Sequence, residues 1–236
     1  MKKVKSIVII LLVCIISFSC KKKKDEPPHV NVVPASTMPY SILQTAYRYA
    51  NNNNVISLDS TALAIFSDAP LNSSLNYVDA GDVSLNDSGF YYFSGVYSNS
   101  TAINISANLK WTVAGSATIS PFSYTYSASY PKYTGGNLLP DTCYKSSGIT
   151  ITISGVSNTT NGVSVFINQS SATSITKYLP TPNGVINISA AELSSYSVNA
   201  AIYIELMFSN THQQTFGGKA HQFNNDVSYN KISYLK

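Results

Sequence analysis

Glutamate is nearly missing from this chain: only Glu26, Glu192 and Glu205 occur in 236 residues, beside eight aspartates. A glycosidase needs two convergent carboxylates, and so small a stock offers few pairs to recruit. Cysteine is equally scarce. Cys14 lies inside an apolar run and Cys20 follows that run, so Cys143 stands alone in the remainder and has no partner for an intramolecular disulfide. It reads as a small buried hydrophobe rather than a nucleophile. No apolar run exceeds the ten residues from Ile7 to Ile16. At about 1.5 Å per residue, such a helix would cross only half of a ~30 Å hydrocarbon core, so a transmembrane helix is not expected. The Gly-x-Ser-x-Gly elbow, His-Glu-x-x-His and the lysine-bearing phosphate loop are all missing.

What the N-terminus does contain is a positive stretch (Lys2, Lys3, Lys5), the apolar run, and then Ser17-Phe18-Ser19-Cys20. That order has the form of a secretory signal, residues 1–19. The small Ser19 before Cys20 resembles the lipobox of bacterial lipoproteins, with Ser17 standing where most carry Leu. The resemblance implies that the Cys20 sulfur receives a diacylglycerol and the new amino terminus is acylated. One acyl chain binds a membrane only marginally, whereas two or three give durable anchoring. Lys21 to Lys24 then add attraction to anionic headgroups, and Asp25-Glu26-Pro27-Pro28 opens a stiff, solvated tether over 20–39. A Ser-Cys followed by charged residues is similar to lipoproteins of the Bacteroidota. The expected location is therefore the outer membrane, on its periplasmic or cell-surface face.

The net positive charge belongs to this leader and tether. Setting aside their seven lysines and two acids leaves eight basic and nine acidic residues, so the formal +4 of the whole chain becomes near −1 from His29 onward. A basic surface for nucleic acid is excluded on that ground. Polarity comes instead from Ser, Thr, Asn and 17 tyrosines.

Beyond Pro39 the pattern is that of strands. Ile103, Ile105, Ala107, Leu109, Trp111 and Val113 alternate with polar residues, which predicts a strand over 103–113 with Trp111 buried. Ile149, Ile151 and Ile153 alternate likewise, and Val163, Val165 and Ile167 follow across Asn161-Gly162, which predicts a hairpin. Ile202, Ile204, Leu206 and Phe208 form another inward face, Gly217-Gly218 a turn, and Val227 to Tyr234 a closing strand. Ser189-Ala190-Ala191-Glu192 has the form of a capping box and predicts a helix of one or two turns. Proline, glycine and serine cluster between 131 and 147 without periodicity. The fold class expected is all-β: antiparallel β-sandwiches, two immunoglobulin-like Greek-key modules over 40–130 and 148–236 with 131–147 as linker, or else one larger sandwich. Asp79-Ala80-Gly81-Asp82-Val83-Ser84-Leu85-Asn86, Trp111-Thr112-Val113-Ala114-Gly115 and Gly218-Lys219 resemble a recurrent architecture among Bacteroidota lipoproteins of unassigned function. That resemblance implies β-sandwich modules displayed from a lipid anchor, and it brings no catalytic residues.

Candidate chemistry is thin. Asp79, Asp82 and Asp87 cluster, but lack the close alternating spacing of a calcium loop and read as turn residues. His212 and His221 flank the Gly217-Gly218 turn, yet two imidazoles without a third ligand make a poor zinc site. Glu192 is accounted for by capping, and Glu205 lies opposite the apolar face of its strand, where solvation is expected. No metal, cofactor or catalytic residue is assigned. The aromatic stripe Phe122, Tyr124, Tyr126, Tyr130 is more suggestive, because a phenol offers a flat apolar face and a hydroxyl that suit a sugar ring or a protein partner. Tyr124, Tyr126 and Tyr130 are the candidate contacts, with core packing the favoured alternative. The function expected is a non-enzymatic binding or structural protein, lipid-anchored through Cys20, with a glycan or envelope-protein partner. The competing class is an envelope-associated hydrolase or metal-dependent enzyme. Metabolic labelling with a fatty-acid probe should mark the wild type and leave Cys20→Ala unlabelled; equal labelling of both would refute the anchor.

Overall fold

A computed structural model describes residues 38–52, 55–71, 76–99, 105, 108–127, 129–134, 139–159, 161–170 and 172–236. Cys20, the leader and nearly all of the tether lie outside the described residues, as do 103–104 and 106–107 of the strand expected at 103–113. The strands are β1 (Ser41–Asn52), β2 (Val55–Phe66), β3 (Val83–Leu85), β4 (Ser88–Gly89), β5 (Tyr91–Phe93), β6 (Val96–Ser98), β7 (Leu109–Val113), β8 (Phe122–Tyr126), β9 (Lys132–Tyr133), β10 (Thr142–Cys143), β11 (Ile149–Ile153), β12 (Val156–Ser157), β13 (Val163–Asn168), β14 (Ile175–Leu179), β15 (Gly184–Ile188), β16 (Ala200–Phe216) and β17 (Lys219–Leu235). The chain is all-β, with sheets packed face to face in a sandwich-like arrangement. Among the described residues no helix is long and apolar enough to cross a membrane.

The longest elements are β16 and β17, each about 56 Å at roughly 3.3 Å per residue. They pair antiparallel along their whole length, from Ala200↔Leu235 to Phe216↔Lys219. Gly217 and Gly218 join them at φ +55° and +77°, the left-handed pair of a type I′ hairpin turn, which glycine adopts with the least strain. Around this hairpin a nine-stranded sheet forms in the order β14-β13-β16-β17-β1-β2-β6-β5, with β10 also on β17. Antiparallel pairing prevails, but β1 and β10 each run parallel to β17.

One face of this sheet is covered by two smaller layers. Ile202, Ile204, Leu206 and Phe208 of β16 and Val163, Val165 and Ile167 of β13 pack beneath Ile149, Ile151, Ile153, Ile186 and Ile188 of the β11–β15 pair. Farther along the same face, Leu43, Ala64, Phe66 and Phe223 pack beneath Val83, Leu85, Leu109, Trp111, Val113 and Phe122 of the sheet β4-β3-β7-β8. Trp111 is buried, as the alternation around it predicts. The strand itself starts at Leu109, because Asn108 has φ +70° and breaks the extended run.

Three expectations need correction. The isoleucine run at 149–153 does not form a hairpin with 163–167. Gly155 and Asn158, both with positive φ, turn the chain through β12, so β11 pairs with β15 in the covering layer while β13 joins the large sheet. The two runs meet face to face across the core instead of edge to edge. The capping box forms, with Glu192 accepting from the Ser189 amide at 2.9 Å and the Glu192 amide donating to Ser189 Oγ at 3.3 Å, but it closes hydrogen-bonded turns rather than a helix. Too few residues follow, before Tyr196 is drawn into the core, to propagate one. Glu205 does lie opposite the apolar face, yet it is buried rather than solvated.

Segment 131–147 carries β9 and β10, which pair with β12 and β17, and the large sheet takes strands from both sides of that segment. Leu206 is fully buried between Val165 and Tyr229 on the neighbouring strands. Leu206→Ala should lower unfolding free energy by about 2–5 kcal/mol in urea titrations; a loss below about 1 kcal/mol would contradict the packing.

Candidate functional site: a tyrosine cleft at the seam

Among the described residues, the face of the large sheet is left open between the two covering layers. Alternation places Tyr47 and Tyr49 of β1 on that face, and the parallel register sets Val227 beside Tyr47 and Tyr229 beside Tyr49. The rings of Tyr49 and Tyr229 stack at 4.8 Å with 8° between planes. Ser127 and residues 129–132, between the end of β8 and β9, border the gap. Two contacts hold them down: the Asn210 amide donates to Ser129 O at 2.8 Å, and the Tyr126 hydroxyl donates to Asn210 O at 3.3 Å. The result is a cleft of about 340 Å³, lined by Tyr47, Tyr49, Ser127, Ser129, Tyr130, Pro131, Lys132 and Val227. Ligand sites typically span about 300–1,000 Å³, so this one sits at the small end.

Two of the tyrosines, Tyr130 and Tyr47, are held by their own hydroxyls. Tyr130 donates to Thr45 Oγ1 at 2.6 Å, Thr45 donates to Asn225 Oδ1 at 2.8 Å, and Tyr47 donates to Ile105 O at 3.4 Å. The Tyr130 ring meets that of Tyr47 edge-on at 4.6 Å. Burial pushes the Tyr130 phenol well above its ordinary range and that of Tyr229 up to about 12, with the neighbouring phenols Tyr49 and Tyr133 adding to the latter. These two rings are therefore uncharged at any physiological pH. Chemically the cleft offers flat apolar faces, serine hydroxyls and one ammonium group.

Of the sequence-predicted contacts, Tyr130 lines this cleft and the other two do not. Tyr124 and Tyr126 point into the adjoining core, against Phe223 at 4.6 and 6.3 Å and against His212 at 5.9 and 5.7 Å. Tyr47 and Tyr49 escaped sequence reasoning. Their signal was the Tyr-x-Tyr parity within β1, unreadable without knowing that residues 130 and 229 would join them.

Other reactive groups have structural partners. Asp79 accepts from the Gly81 amide at 2.8 Å and from the Tyr97 hydroxyl, which holds it below the usual carboxylate range. Asn86 and Asp87, at φ +49° and +63°, form the turn between β3 and β4. Glu192 pairs with Lys177 besides its capping role. Cys143 is buried, and desolvation pushes its thiol up to about 11, so it is protonated at neutral pH. Compared with protein-family models, curated proteins and solved structures, the chain matches none.

Two buried groups set opposing pH dependences. His221, hydrogen-bonded through Nδ1 to Ser41 Oγ at 2.8 Å, is pushed down to about 4, chiefly by burial. Between about 4 and its unfolded value of 6.5 the unfolded chain takes a proton that the folded chain refuses, so stability falls as pH drops through that window. Asp226 is pushed up to about 7 by burial, against the hydrogen bonds from Ser209 and Gln44 that pull it down. From its unfolded 3.8 to about 7 the folded chain holds a proton that the unfolded one releases, so stability falls as pH rises. His221→Asn should flatten the acid loss, and Asp226→Asn should gain stability relative to wild type at pH 8 but not at pH 3.5. Urea midpoints at pH 3.5, 5, 6.5 and 8 read both effects, and profiles parallel to wild type would refute them.

Proposed function

We propose that the chain is a lipid-anchored protein of the bacterial cell envelope, displayed from Cys20 at the outer membrane, that binds carbohydrate non-enzymatically in the tyrosine cleft. The observation that carries this reading is the grouping of Tyr47, Tyr49 and Tyr130 around a cleft with Ser127 and Ser129 at its border. A sugar ring has an apolar C–H face and a rim of hydroxyls, and phenol faces with adjacent hydroxyls complement both. The ligand pockets of many proteins share this balance of apolar wall and few polar groups. The near-neutral charge from His29 onward fits recognition through stacking, hydrogen bonds and local charge better than recognition through a broad basic surface. The lipobox-like leader supports the location.

An envelope-protein partner is the second reading, carried by a different place. Tyr91 and Phe93 are 71% and 79% exposed on β5, an edge strand of the large sheet, where aromatic anchors favour protein contact.

A glycan array followed by calorimetry tests the first reading. Tyr49→Ala and Tyr130→Ala should each weaken binding by about 2- to 12-fold, the range of 0.5–1.5 kcal/mol per aromatic contact. Circular dichroism would confirm that the variants are folded. Binding that is indifferent to both changes would refute the cleft as the site.

A further inference from the structure

Four side chains that line the cleft are ionisable: Tyr47, Tyr49, Tyr130 and Lys132. The lysine is the basic member of the four, and burial holds the Tyr130 phenol in its uncharged form. Among the described residues no carboxylate lines the cleft. The acid nearest in sequence, Asp226 beside Val227, projects from the opposite face of β17, where Gln44 donates to it.

The state of Lys132 sets it apart from most other lysines of the fold. Lys231 pairs with Asp141 at 2.5 Å and Lys177 with Glu192. Lys145 donates to Ser194 O and Tyr196 O at 2.9 and 2.7 Å, and Lys219 to Thr118 O at 2.8 Å. Lys132 has no ion pair and no side-chain hydrogen bond among the described residues. Its backbone is fixed at the cleft, because it pairs with Ser157 in the β9–β12 ladder and the next residue, Tyr133, stacks its ring on Phe208 at 5.8 Å. An unpaired lysine on a fixed backbone thus stands at the edge of aromatic walls.

Resting on the carbohydrate reading above, we infer that the cleft selects sugars bearing a carboxylate, which Lys132 receives while the ring lies against Tyr49 and Tyr130. An ammonium donates charge-assisted hydrogen bonds to a carboxylate, stronger than those it makes to a neutral hydroxyl. The lysine is exposed, so the pair is screened, and the preference should shrink as salt rises.

The test compares trigalacturonic acid with its methyl ester, titrated into the full chain in detergent at 20 mM and 500 mM salt. The acid should bind about five- to tenfold tighter at low salt, and the ratio should fall toward one at high salt. Lys132→Gln should bring the low-salt ratio within about twofold of one, and Lys132→Arg should restore it. Equal binding of acid and ester by the wild type would overturn this inference and leave the carbohydrate reading standing. A preference that persists in Lys132→Gln would overturn the role of Lys132. Binding of neither compound, nor of any glycan on the array, would overturn both.

Discussion

Everything in this fold hangs on the ladder between β16 and β17. Its seventeen paired positions run under both covering layers, so one hairpin contributes to both cores: Leu206 and Phe208 at one end, Phe223 at the other. The same ladder supplies the bed on which β1 lies. Because β1 pairs with β17 in parallel, with Ser41 opposite His221, the first described strand must wait for a segment some 180 residues later. Closing so long a loop is entropically unfavourable, and contacts of that range slow folding. Until it closes, the second core lacks Leu43 and the cleft lacks Tyr47 and Tyr49. Core and site are completed by one event.

A parallel ladder whose apolar side chains share one face needs something to hold its register, since a slip of one residue turns every side chain to the other side. Here two buried polar pairs do so. Ser41 and His221 face each other and are hydrogen-bonded, and four positions on Thr45 and Asn225 repeat the arrangement. Each member is nearly inaccessible to water, so in any shifted register four polar groups would lose their partners at about 1–3 kcal/mol apiece. The Thr45 pair also receives the Tyr130 hydroxyl. Register and cleft geometry thus share a hydrogen-bonded chain.

What could be read from the residues was the alternation, because it reports only whether a face is wet or dry. Isoleucines at 149, 151 and 153 and the run from Ile202 to Phe208 needed no partner to be recognised as one-sided strands. Which strand they face is a different question. The β11 run and the β13 run look alike as patterns, and only positive φ at Gly155 and Asn158 sends one into the covering layer and the other into the large sheet. Residues on the second face of β16 and β17 were misread for the same reason. Glu205 looked solvated, although it is buried with Phe166 and Asn230 beside it on the neighbouring strands. The aromatic stripe from Phe122 to Tyr130 was visible, but its division into three core residues and one cleft residue was not. That division depends on where β8 ends, at Tyr126, and on how Ser127 and residues 129–132 border the gap between layers.

Tyrosine is the residue that such a gap demands. Two small layers resting on one long sheet leave a seam wherever their edges do not meet, and the floor of the seam must face water at one level and a core at the next. Leucine there would expose apolar surface without relief, and serine would leave Phe208 and Tyr133 uncovered. A phenol covers the neighbouring core with its ring and satisfies its hydroxyl at the seam, as Tyr130 does on Thr45 and Tyr47 on the Ile105 carbonyl. Once their hydroxyls are tied down, the rings cannot rearrange to close the cleft, and Pro131 stiffens the segment above them. The features that keep the seam from collapsing are thus the ones that give it rigid, uncharged faces, and a rigid face binds a ring without first paying to order itself.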